Sequence, residues 1–196
     1  MGAGRSNGFT LIEILVALAI SAVVVGSAYT LLFTVKKGTA GVYEKMREKE
    51  RAFNFLSMAR KEIESIYYAR DTDYTGIKIE EKDFYGKPAS RVTFTCFFKD
   101  GMKVISYDVV EDKDNKLNIV KTIADAVKGD KPVKITVLKD VEGFSVQVLD
   151  DGYDKVYDSA KLKKVPKDVK ISLLLKGDKG GEEFSQICSL MLNDAL

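Results

Sequence analysis

Residues 1–35 read MGAGRSNGFTLIEILVALAISAVVVGSAYTLLFTV. Within them, Ile14 to Val35 is a run of 22 residues without a charge, bounded by Glu13 on one side and by Lys36 and Lys37 on the other. As a helix rising about 1.5 Å per residue, the run reaches roughly 33 Å, enough to cross a bilayer core of about 30 Å. No later segment approaches its length or apolarity. The expected organisation is one membrane segment at the start and a soluble remainder.

Three kinds of leader compete for this stretch. A secretory signal peptide would use Arg5 as its basic region and Gly26-Ser27-Ala28 as its cleavage site. An uncleaved anchor would simply stay in place. A prepilin signal would be cut ahead of the apolar run. Glu13 weighs on the choice, because a lone carboxylate at membrane depth costs about 2.5–3.5 kcal/mol on insertion scales. Neither of the first two leaders has a use for that cost. The apolar run also continues past Ala28 through Tyr29, Leu31, Leu32 and Phe33, further than a secretory core needs.

Gly8-Phe9-Thr10-Leu11-Ile12-Glu13 ahead of an apolar helix resembles the cleavage and methylation signal of type IV pilins and type II secretion pseudopilins. The resemblance implies that a prepilin peptidase cuts between Gly8 and Phe9 on the cytoplasmic side and methylates the new amino terminus at Phe9. It further implies that Glu13 sets assembly register, meeting the terminal ammonium of Phe9 in a neighbouring subunit. In an apolar bundle such pairing fixes register more than it adds net stability. Loop charge gives little support to the orientation, since Lys36, Lys37 and Lys45 follow the segment while Arg5 precedes it. The bulk of the chain is placed outside the cytoplasm on the resemblance of the leader.

From Val42 to Tyr68 a helix is expected, with Val42, Met46, Phe53, Leu56, Ile63 and Tyr67 on its apolar face. Glu44, Lys45, Arg47, Glu48, Glu50, Arg51, Lys61 and Glu62 fall on its polar face. Gly38 and Gly41 predict a bend or local melting between the two halves. The expected domains are a leader at 1–8, a membrane helix at 9–35, an amphipathic periplasmic helix at 36–68 and a β-rich domain at 69–196.

After Tyr68 the period changes from helical to strand-like. Arg91–Phe98, Lys103–Val110 and Lys116–Ile123 read as an antiparallel meander, separated by Lys99-Asp100-Gly101 and Asp112-Lys113-Asp114-Asn115. Val133–Leu138, Val141–Leu149, Lys155–Asp158 and Val169–Leu175 read as further strands. One long helix followed by these strands predicts an α+β fold, with the helix packed on antiparallel β-sheets.

This half is similar to J-type minor pseudopilins at Tyr107, Leu117, Val141, Phe144, Pro166 and Val169, with Tyr157 standing where that group has tryptophan. The resemblance implies a structural subunit at the tip of a periplasmic pseudopilus. Its implied partners are the other minor pseudopilins, the major pseudopilin, the prepilin peptidase and the inner membrane. The rivals are a minor pilin of a type IV pilus or DNA-uptake filament, which uses the same leader, and a secreted binding domain beginning at Tyr29.

Composition narrows the chemistry. The chain of 196 residues has 31 basic and 29 acidic side chains, well mixed, which gives no nucleic-acid footprint. It has no histidine, so no Ser-His or Cys-His pair can form. No catalytic residue, cofactor or metal is expected. Asp112 to Lys116 lacks the glycine and distant glutamate of a calcium loop. Asp150, Asp151 and Asp154 around Gly152 are the stronger of the two calcium candidates, although a solvated turn is the expected reading there as well. Gly177 to Gly181 lacks phosphate-loop spacing and reads as a turn. Cys96 and Cys188 are equally consistent with a disulfide and with two buried thiols.

Overall fold

The computed structural model describes residues 10–70, 72, 75–127, 131–150, 152, 154–177 and 180–190, with backbone alone at residues 40, 41, 44 and 45. The chain forms two units, Met1–Glu48 and Lys49–Leu196. The arrangement is α+β and pilin-like, a long amino-terminal helix followed by a curled antiparallel sheet.

The helix α1 spans Leu11–Glu64 and is uninterrupted at Gly38 and Gly41, so the expected melting there is absent. Each glycine costs only about 1 kcal/mol relative to alanine, which does not break a helix of this length. The helix ends at Glu64, short of Tyr68. Beyond it the backbone turns to pair with a strand, through an Ile66–Cys96 bridge and a 2.7 Å bond from the Tyr67 N–H to the Thr95 carbonyl.

In the second unit, the buried face of α1 is Ala52, Phe55, Leu56, Ala59 and Ile63, spaced by three and four as helical geometry requires. This corrects the expected stripe. Leu56 and Ile63 are buried, but Phe53 is 58% exposed, with its ring meeting Phe184 edge-on at 5.6 Å. Ala52 and Ala59 bring the helix close to the sheet and make room for Phe55. That ring packs edge-on against Tyr107 at 5.7 Å and Phe144 at 5.8 Å. Glu62 also departs from expectation. It reaches inward, accepting a 2.6 Å bond from the Tyr107 hydroxyl and a hydrogen bond from the ammonium of Lys121, itself 7% exposed.

The strands are β1 (Ile77–Glu80), β2 (Asp83–Phe84), β3 (Lys87–Pro88), β4 (Arg91–Phe98), β5 (Gly101–Glu111), β6 (Leu117–Asp125), β7 (Val133–Val148), β8 (Tyr157–Asp158), β9 (Asp168–Gly177) and β10 (Gly180–Ser189). A short helix, α2 (Ser159–Leu162), follows β8, capped by the Asp158 carboxylate. Eight strands form one sheet in the order β10-β9-β7-β6-β5-β4-β1-β8, and β2 and β3 form a separate small hairpin. The expected meander is β4 to β6, and β7 continues it.

Its second turn closes on Asp112. One carboxylate oxygen accepts from the Asp114 and Lys116 N–H groups at 2.9 and 3.0 Å, while Asn115 adopts a left-handed φ of 56°. The two strands expected at 133–138 and 141–149 are one strand, β7. It pairs with β6 as far as Val141, with a bulge at Lys139 and Asp140, and from Val141 onward it also pairs with β9. Strand β10 was not expected, because the inward-facing Gln186 interrupts the apolar alternation of Phe184 and Cys188.

Cys96 and Cys188 are free and buried, on β4 and β10. Burial pushes the first thiol up to about 11 and the second up to about 12. In the unfolded chain both ionise near pH 8.5. Above that pH the unfolded state sheds protons that the folded state keeps. Their contribution is therefore complete below about pH 8.5 and declines above it, by about 1.4 kcal/mol per thiol per pH unit. Urea denaturation at stepped pH is expected to reveal this decline between about pH 8.5 and 10, the range below the ordinary tyrosine value. A Cys96→Ala, Cys188→Ala double variant is expected to flatten it, whereas an unaltered slope would assign the decline to other groups.

Candidate functional site

The first unit carries the segment that sequence singled out. Gly8 and Phe9 lie outside the described residues. Glu13 lies in the first turn of α1, where the exposed N–H groups favour a carboxylate. It is held there reciprocally by Thr10. The Glu13 carboxylate accepts from the Thr10 N–H and hydroxyl, each at 3.3 Å, and the Thr10 hydroxyl accepts from the Glu13 N–H at 3.4 Å. This is a capping box: it gives the Thr10 N–H an acceptor and adds a second one for the Glu13 N–H, which also donates to the Thr10 carbonyl at 3.0 Å. The Thr-x-x-Glu spacing before an apolar run is its sequence signal, and reading Glu13 for its charge alone passed over it. Both partners lie on the carboxyl side of the Gly8–Phe9 bond, so a cut there leaves the box whole.

Behind Glu13, Leu11–Thr39 is long and apolar enough to cross a membrane. Four of its hydroxyls are satisfied within the helix. The hydroxyls of Ser27, Thr30, Thr34 and Thr39 donate to the carbonyls of Val23, Gly26, Thr30 and Val35 at 2.8–2.9 Å. A hydroxyl bonded one turn back carries little desolvation penalty into hydrocarbon. Glu13 is therefore the one charge between Leu11 and Val35, and its partners are neutral. A carboxylate so placed stays attractive to a cation brought by another helix.

The remaining sequence candidates do not join it. Tyr107, Leu117, Val141, Phe144, Tyr157, Pro166 and Val169 are all buried in the second unit as packing residues. The Tyr157 hydroxyl donates to the Lys164 carbonyl at 2.9 Å. Asp150 accepts from the Lys167 N–H at 2.7 Å and lies 3.3 Å from the Lys164 ammonium. Asp154 pairs with Val148 through its backbone, and Asp151 lies outside the described residues. Among the described residues no group of three or more Cys, Asp or Glu is placed to hold a metal.

Residues 4–29 match the family described as the prokaryotic N-terminal methylation motif, the signature shared by type IV pilins and pseudopilins. No curated protein and no solved structure matches the chain significantly.

Proposed function

We propose that this chain, which bears the methylation motif of type IV pilins and pseudopilins, is a non-enzymatic subunit of a cell-envelope filament. Before assembly, the apolar stretch of α1 holds it in the inner membrane by a single pass, with the second unit in the periplasm. The observation that carries this reading is Glu13. A charge at the lip of an apolar helix, inside a matched motif, carries a cost that the neutral Thr10 cap lessens and that a cation brought by a partner in an assembly offsets.

The narrower reading is a minor pseudopilin of type II secretion, J-type, forming a tip complex with other minor pseudopilins above the major one. The positions that support it, Tyr107 to Val169, are core and turn residues, so they speak for a shared domain more than for a shared partner. A minor pilin of a type IV pilus is the alternative and predicts the same leader. Neighbouring reading frames for further prepilin-like chains beside a secretion ATPase would favour the narrower reading.

The mature amino terminus tests the broader one. Mass spectrometry of the protein from its native host is expected to find a chain beginning at Phe9 with a methylated α-amine. A chain beginning at Tyr29 would make this a secreted domain, and one retaining residues 1–8 would make it an ordinary anchor.

A further inference from the structure

The bulge that switches β7 from β6 to β9 leaves half of the strand open. Residues 133–138 pair with β6 on one side, while β9 engages β7 only from Val141 onward. Among the described residues no strand pairs with the other side of 133–138. In an antiparallel pair alternate residues direct their N–H and C=O groups away from the partner, so this edge offers unfilled backbone hydrogen bonds. Both faces are open as well: residues 131–136 are all exposed, with Val133 at 56% and Ile135 at 47%. Beyond them Val137 packs on the core and Leu138 is buried, which anchors the edge at one end.

Charge selects what can add to it. Lys131, Lys134 and Lys139 flank and punctuate the edge, with no acidic residue from 131 to 139. All three are exposed, and none is ion-paired among the described residues. Lysines on an edge repel a second copy of the same strand, the usual guard against self-pairing. The same lysines attract a strand bearing carboxylates. The other long edge of this chain, β10, suits them poorly, because Glu182 is already 2.7 Å from Lys49 and Glu183 is 3.6 Å from Lys170.

We infer that residues 133–138 are a strand-addition site for an extended acidic segment of a partner protein. The partner strand would bond to the open backbone, rest small apolar side chains on Val133 and Ile135, and set its carboxylates against the three lysines. The site belongs to the second unit and is independent of the filament reading, which rests on residues 4–29.

The test uses the full chain in detergent micelles and a fluorescent peptide of alternating Glu and Val. Anisotropy is expected to report binding that weakens with salt, and amide exchange is expected to slow within 133–138. The combined Lys131→Glu, Lys134→Glu and Lys139→Glu variant is expected to bind this peptide at least about tenfold more weakly and to accept an alternating Lys and Val peptide instead. Acceptance of the reversed peptide shows that the variant is folded. Equal binding of the two peptides by the natural chain, absence of binding, or protection confined to β10 would each overturn the proposal. So would tighter binding of a peptide copied from residues 180–189, since the occupant would then be a second copy of this chain.

Discussion

Replacing Lys121 by alanine is expected to lower the unfolding free energy by about 3–5 kcal/mol, because it strands the Glu62 carboxylate in the core. The two side chains meet between α1 and β6, with 9% of the lysine side chain and 18% of the glutamate side chain exposed. Neither is a surface pair of the kind worth only tenths of a kcal/mol. Glu62 keeps the Tyr107 hydroxyl as a donor in the variant, but that is a neutral partner for a full charge. Burial and the neighbouring Glu62 push the Tyr107 phenol far above its ordinary value, so it remains a donor throughout the working range.

Glu62→Leu combined with Lys121→Met should cost far less than Lys121→Ala, since apolar residues of similar size often replace a buried pair without loss. What remains is the Tyr107 hydroxyl, left without its acceptor at about 1–3 kcal/mol. Adding Tyr107→Phe is expected to remove most of that residue. Denaturant midpoints for the single, double and triple variants check the series. Equal losses for the single and the double would mean that this pair is solvated and that α1 is held by packing alone.

That triad also marks where the sequence stops being legible. Glu62, Tyr107 and Lys121 are separated by 45 and 59 positions along the two hydrogen-bonded pairs, and each looks unremarkable locally. Glu62 follows Lys61 in a charged stretch, so its charge assigns it to solvent, although it lies three residues after Ala59 on the flank of the buried face; the sheet beneath supplies the partners that turn it inward. The apolar run and the meander were readable because their signals are local: an uncharged length, alternation, and turn residues such as Asp112 and Asn115. Strand β7 was divided in two because Lys139-Asp140 resembles a turn, whereas Asp140 takes a left-handed φ of 61° within a bulge and the chain continues. The Thr10–Glu13 box was legible and was missed, since a carboxylate read for its charge was not also read as a cap.

The cap that Glu13 forms and the register role proposed for it separate under substitution. Glu13→Leu is expected to abolish entry into filaments while leaving the protein in the membrane. The change removes a charge worth about 2.5–3.5 kcal/mol of insertion penalty and adds apolar surface, so anchoring cannot suffer. It also deletes the cap, so the loss alone does not say which role mattered. Glu13→Gln resolves this. Glutamine keeps the side-chain acceptor that a capping box uses but carries no charge to meet a neighbour's ammonium. If ionic register is the function, Gln fails as Leu does. Thr10→Ala is the converse: it removes the hydroxyl partner at a cost of about 1 kcal/mol to the helix start, keeps the carboxylate, and is expected to assemble. Sheared filament and membrane fractions, compared by immunoblot, distinguish these outcomes. A Glu13→Gln chain that assembles beside a Thr10→Ala chain that does not would transfer the function from the charge to the cap. The Glu13 carboxylate would then be a local helix device and no longer the element that sets one subunit against the next.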